Sequence, residues 1–142
     1  MISRPPTHRQ WLIALAGWTF FVWFQRIGNV LNDDELAGVA QAWRLGVAVV
    51  FIVVAVVLIG GVVFARRVSN DGSGVSSESW VSALGIGLAV VGSLWWLVRG
   101  GQILVGDWDL SFKVVHTVLA VVVVALSVMV VGTRGYARPR YG

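Results

Sequence analysis

The polar side chains that could do chemistry in this sequence stand at the ends of long apolar runs. Arg26 and Asn29 close the first run, and Arg99 and Gln102 follow a later run at the same spacing. Guanidinium and amide groups both present N–H donors, so together they suit a negatively charged ligand. These four residues are therefore a candidate polar site for an anionic solute or a lipid headgroup at one mouth of the protein.

The same residues also fit a role as interfacial anchors. Trp23 and Trp96 each precede an arginine by three residues, which places indole and guanidinium on one helix face. The cation can then lie over the ring while it reaches the membrane interface and pairs with nearby carboxylates. The two interpretations differ in where the arginine side chains point. In a binding site both arginines face the bundle interior, whereas in an anchor they face the lipid interface.

Other familiar chemistry lacks the residues that it requires. The chain has no cysteine and two histidines, which excludes disulfides, thiolate metal sites and a multi-ligand metal or haem site within one chain. His116 stands one turn beyond Lys113 and could relay protons or bind a metal across a dimer, but a hydrogen-bonded packing role is favoured because the first half has no equivalent. We expect no catalytic residue, no cofactor and no enzymatic activity.

Four apolar runs must position these side chains. Each is close to the 20 residues that a helix needs to cross about 30 Å of hydrocarbon. Their valine density would suit strands, but open sheet edges are excluded in lipid and the runs lack the alternation of a barrel. The sequence predicts an all-α integral membrane protein, a single four-transmembrane-helix bundle with spans at about 11–31, 45–65, 80–98 and 114–133.

The distribution of basic residues predicts the orientation of these spans. Seven of the eleven Lys and Arg residues lie in the tails, 1–10 and 134–142, or in the Gly/Ser-rich linker, 66–79. The positive-inside rule places these three segments in the cytoplasm, so the candidate site faces outward. Because the basic residues occur singly or in pairs at span ends, we expect contact with anionic lipid headgroups and not with nucleic acid.

The two halves of the chain resemble each other in one block. WFQRIGNVL, residues 23–31, aligns with WLVRGGQIL, residues 96–104, with four identities and two conservative changes. This pattern predicts a tandem repeat of two helical hairpins about an axis along the membrane normal. Coincidence within a membrane-type composition is the alternative.

Small residues recur every four positions in the third run, at Gly85, Ala89 and Ser93. Such a stripe lets helix backbones approach closely where lipid supplies no hydrophobic driving force. The contact that it predicts is either inside the bundle or with another subunit.

Two stretches carry a family resemblance. FFVWFQRIGNVLNDD and LSFKVVHTVLAVVVVALSVMVVGTRG together resemble a group of small, uncharacterised integral membrane proteins of actinobacteria, with a Trp-rich helix ending in Arg-Ile-x-Asn and a later helix opening with Val-His. The resemblance implies a multi-pass protein of a bacterial plasma membrane. It implies no activity, ligand or cofactor.

These observations favour a non-catalytic accessory or structural subunit that packs against a larger membrane complex or against itself. The alternative is a small homo-oligomeric transporter or channel that uses the Arg/Asn/Gln site. The soluble segments are too short to fold alone, which argues against a separate soluble domain.

Overall fold

A computed structural model describes residues 6–33, 38–70 and 75–136. The outer parts of both predicted cytoplasmic tails and the centre of the predicted linker lie outside these ranges. So do Asp34 and Glu35, two of the acidic residues near the first arginine.

The described chain is all-helical and contains four helices, as predicted. Their bounds are α1 His8–Leu31, α2 Val39–Asn70, α3 Val75–Val105 and α4 Leu110–Tyr136. Each helix is longer than the apolar run from which it was predicted, and α2 and α3 extend into the expected linker. Hydropathy marks only the part of a helix that suits hydrocarbon, whereas backbone hydrogen bonding continues into the polar flanks.

Three of these helices are long and apolar enough to cross a membrane: Val39–Ala65, Ser79–Val105 and Leu110–Arg134. In the most apolar window of each, a third or fewer of the residues are buried inside the protein. The first predicted span is not among them. α1 has the necessary length, but its tryptophans and the Gln25–Arg26 pair make it less apolar than the other three.

Local sequence explains where the first hairpin starts and turns. At the start of α1 the Thr7 N–H donates to Gln10 Oε1 at 2.7 Å, which satisfies a donor outside the helix. At its end the Asn32 N–H donates to the Gly28 carbonyl at 3.1 Å. Gly38 stands just before α2 with φ of 69°, a left-handed conformation that favours glycine.

The helices form a ring in chain order. α1 packs most extensively on α2, and α3 on α4, while α1–α4 and α2–α3 contacts close the ring. The core between them includes Leu12 and Leu15 of α1, Leu58 of α2 and Leu88 of α3, all at most 5% exposed. Two hairpins packed side by side therefore bring the end of α1, the start of α2 and the end of α3 to one end of the bundle.

An aromatic cluster fills the core next to that end. The Trp23 ring stacks on Phe51, with centroids 4.4 Å apart and planes 8° from parallel. Trp95 lies against both rings, at 5.9 Å from Trp23 and 6.1 Å from Phe51. Three helices are thus held together directly below the predicted polar site.

Candidate functional site

Three arginines from three helices form what we call the arginine cluster: Arg26 of α1, Arg44 of α2 and Arg99 of α3. Arg26 and Arg99 are half-buried, Arg44 is exposed, and the positive charges of Arg99 and Arg44 both act on Arg26. No carboxylate of the described residues is among the charges that act on Arg26. The cluster therefore places three positive charges at the end of the bundle where α1 ends, the end that also carries Asp33, Asp107 and Asp109 on the connections between helices.

Arg99 is half-buried, and one of its guanidinium nitrogens, Nε, is enclosed. Its Nη1 donates to Gln102 Oε1 at 3.4 Å, a long hydrogen bond within one turn of α3. Its Nε is buried and has no hydrogen-bond partner among the described residues. A buried donor without a partner costs free energy, so this guanidinium is suited to accept a ligand that supplies an acceptor.

Part of this arrangement was predictable from the sequence. The structure brings Arg26, Arg99 and Gln102 to one end of the bundle, and Asn29 lies exposed in the last turn of α1 at that end. Arg44 is not among the residues predicted from the sequence. Its membership could have been inferred from the short connection between α1 and α2, which places the start of α2 beside the end of α1.

A groove begins on α3 beside Arg99 and continues between α2 and α3. Next to Arg99 and Gln102, a cavity of about 430 Å³ is walled by Val91, Trp95 and Val98. A second cavity of about 220 Å³ shares Val91 and continues between the two helices. We call these two cavities the α2–α3 groove; its walls are almost entirely apolar. The residues lining it are Val50, Phe51, Val54, Leu84, Gly87, Leu88, Val91, Leu94, Trp95, Val98, Arg99 and Gln102.

The two predicted aromatic anchors lie inside the bundle. Trp23 is 2% exposed and Trp96 is 4% exposed. The Arg26 guanidinium carbon does lie 5.7 Å from the centroid of the Trp23 ring, as its spacing predicts. The indoles nevertheless make their contacts with other helices and not with the surroundings, because α1 and α3 turn these faces toward the ring centre.

His116 is half-buried and hydrogen-bonded within its own helix. Its Nδ1 donates to the Phe112 carbonyl at 2.9 Å, since a carbonyl oxygen only accepts. The ring packs on Phe112 at 4.0 Å and near Trp96 at 6.3 Å. This geometry is that of a packing residue, and His116 stands apart from the arginine cluster.

The small-residue stripe of α3 contacts other helices of the same bundle. A side chain at Gly85 would collide with Leu12 of α1, and Leu58 of α2 lies next to that position. Ala89 is buried, at 1% exposed. Ser93 is half-buried and lines an apolar groove between α3 and α4.

A second polar arrangement, which the sequence analysis missed, lies at the opposite end of the bundle. His8 Nδ1 lies 3.0 Å from Thr133 Oγ1, and its Nε2 lies 3.3 Å from Ser82 Oγ. The Thr133 hydroxyl donates to the Met129 carbonyl at 2.7 Å, so it accepts from Nδ1, and the lone pair of Nε2 accepts from Ser82. The partners are 74 and 125 residues from His8, a separation that leaves no local sequence signal.

Burial makes His8 a weaker base than a free imidazole. Desolvation lowers the pKa of His8, a hydrogen bond with the Val130 backbone partly offsets this by raising it, and the positive charge of Arg134 adds a smaller lowering effect. His8, Arg9 and Arg134 also line a small cavity of about 150 Å³. The neutral imidazole is the form that joins α1 to α3 and α4.

Comparison of the chain with models of known protein families, with curated proteins and with solved structures gives no match. Within the described residues, no group of three or more His, Cys, Asp or Glu side chains is placed to hold a metal ion.

Proposed function

We propose that this chain is a multi-pass membrane protein in which all four helices cross the bilayer, with both termini in the cytoplasm of a bacterial cell. Support comes from the apolar residues that α2, α3 and α4 expose over their whole length. A soluble protein of this size rarely exposes such continuous apolar surface, whereas lipid accommodates it. α1 joins as the fourth span because it shares the core of the other three.

Within that membrane, the chain acts as a non-catalytic accessory subunit that packs against a larger complex or another copy of itself. The supporting observation is the apolar groove of about 530 Å³ between α3 and α4. Its floor is formed by small residues, Ala89, Ser93 and Gly132, which permit close approach of another helix. Valines on both rims give that helix an interdigitating surface.

Gentle detergent extraction of the tagged protein, followed by native mass spectrometry, tests this role. We expect stoichiometric additional subunits, either a foreign membrane protein or a second copy. Gly132→Leu fills the α3–α4 groove and should release the partner. Gly101→Leu adds the same side chain near the other end of α3, outside this groove, and should retain the partner. A monomer in every mild detergent and in lipid nanodiscs contradicts the accessory role.

A second candidate function is transport of an anion by a homo-oligomer, and the arginine cluster favours it. Three cations from three helices, one with a buried unsatisfied donor, form a stronger anion site than isolated interfacial arginines. The test is anion flux into proteoliposomes. Loss of flux in Arg26→Gln and Arg99→Gln, but not in Arg67→Gln at the opposite end, supports transport; equal flux in all three excludes this site.

We infer that the two hairpins are a tandem repeat. A shift of 73 positions places six of the seven buried residues of α1 on buried residues of α3: Leu12 on Gly85, Leu15 on Leu88, Ala16 on Ala89, Thr19 on Gly92, Trp23 on Trp96 and Val30 on Ile103. The seventh, Val22, falls on the half-buried Trp95. Arg26 and Arg99 are equivalent under the same shift, and both are half-buried. The repeat thereby accounts for two arginines at one end of the bundle, since equivalent helices run in the same direction.

A further inference from the structure

The arginine cluster and the α2–α3 groove are adjacent, and Arg99 belongs to both. Its guanidinium provides a buried Nε that has no hydrogen-bond partner in the described part of the chain, and the groove next to it is apolar along the rest of its length. A small soluble anion would use only the charged end of this arrangement. A ligand that matches both parts has an anionic head and an apolar tail.

We propose that the arginine cluster and the α2–α3 groove form one binding site for an anionic phospholipid, with its phosphate on the arginines and an acyl chain along the groove. The proposal rests on the membrane assignment proposed above and gives the arginine cluster a lipid as its ligand. The chemistry on each side is complementary: guanidinium groups bind phosphate oxygens bidentately, and the apolar walls shield hydrocarbon.

The dimensions of the site agree with this ligand. From Leu84 to Arg99 the helix rises about 22 Å at 1.5 Å per residue, which exceeds the roughly 15 Å hydrocarbon thickness of one leaflet. Arg99 lies six residues before Val105, the end of the candidate span, or about 9 Å along the axis. That depth is near the boundary between hydrocarbon and headgroups, where a long side chain reaches lipid phosphate.

Charge complementarity selects an anionic lipid over a zwitterionic one. Arg99 and Arg44 place like charges near Arg26, and a negative group bound among them offsets part of that repulsion. A net negative headgroup relieves this repulsion, while choline would bring a further positive charge into it. Gln102, hydrogen-bonded to Arg99, can hold the guanidinium in place for the phosphate.

Native mass spectrometry of the purified protein in detergent tests the proposal with three probes. These are dioleoyl phosphatidylglycerol, dioleoyl phosphatidylcholine with the same chains, and glycerol phosphate without chains. We expect one phosphatidylglycerol bound per chain, at least about tenfold tighter than phosphatidylcholine, because the choline group adds a positive charge beside the arginines. Glycerol phosphate should bind weakly and should not displace the lipid.

Variants separate the two halves of the site. Arg99→Gln and Arg26→Gln should reduce phosphatidylglycerol affinity about tenfold and remove the preference over phosphatidylcholine. Val98→Trp should block the groove and reduce binding of both lipids while leaving the charge intact. Arg67→Gln, which removes one exposed charge at the opposite end, should bind as the wild type does.

Three results would overturn the proposal: equal affinity for the two lipids, unchanged binding in all three site variants, or full displacement of the lipid by glycerol phosphate. The last result would identify a soluble anion as the ligand. A parallel experiment washes the membrane fraction with alkaline carbonate and measures how much of the protein stays in the membrane. A chain released by carbonate contradicts the membrane assignment itself, whereas a retained chain without lipid preference contradicts only the lipid site.

Discussion

His8 donates from Nδ1 to Thr133 Oγ1 at 3.0 Å and accepts at Nε2 from Ser82, so one imidazole in the first turn of α1 joins α3 and α4. This contact closes the end of the bundle opposite the arginine cluster. His8 therefore helps to hold α1 against the second hairpin.

We expect the stability of the protein to fall as the pH falls below about 6.5, the ordinary histidine value. Because burial and Arg134 lower the pKa of His8 in the folded protein, the unfolded chain binds the proton first, and stability is greatest above the unfolded pKa. It decreases until the pH reaches the folded pKa and then levels off. The thermal midpoint in detergent between pH 8 and pH 5 measures this effect, and His8→Gln should flatten the dependence. An unchanged slope in that variant would assign the effect to other groups.

Gly85→Leu should lower the free energy of unfolding by about 1–3 kcal/mol, the usual cost of overpacking a core. The new side chain meets Leu12 of α1, which is 2% exposed and has little room to move. Gly87→Leu is the matched control, since nothing lies within 4 Å of a Cβ there. Thermal unfolding of both variants in one detergent measures the difference. Equal midpoints would mean that α1 and α3 are not in close contact at Gly85.

Trp23→Ala should destabilise the fold by about 3–5 kcal/mol, because it removes a buried aromatic ring from the core. The lost contacts include the stack on Phe51 at 4.4 Å and the contact with Trp95. Phe24→Ala removes a neighbouring ring that is 61% exposed and should have a much smaller effect. If the two variants unfold at the same temperature, Trp23 does not occupy the interior position.

Single introduced cysteines should report opposite sides of the membrane for the two ends of the bundle. The chain has no natural cysteine, so each introduced thiol is the sole reactive site. Asp109→Cys in the exposed α3–α4 connection should react with an impermeant thiol reagent in intact cells. Arg67→Cys should react only after the cells are permeabilised. Reaction at Arg67→Cys in intact cells contradicts the predicted orientation.

The sequence alone determined that the chain is helical and gave the number of its helices. Continuous apolar runs near 20 residues leave helices as the lipid-compatible backbone, and these runs lie within the four observed helices. The spacing of Trp23 and Arg26 also predicted their contact, because residues three apart on a helix are neighbours. These features depend on local geometry, which composition and spacing describe.

Only the tertiary structure decided which face of each helix turns inward. Lipid and protein interior are both apolar, so a helix that is apolar on every side gives no sequence signal for its buried face. Three findings depend on which face turns inward. These are the interior positions of Trp23 and Trp96, the addition of Arg44 to the arginine cluster, and the contacts of His8 with Ser82 and Thr133. They join residues far apart in the chain, and the packing of the two hairpins is what brings them together.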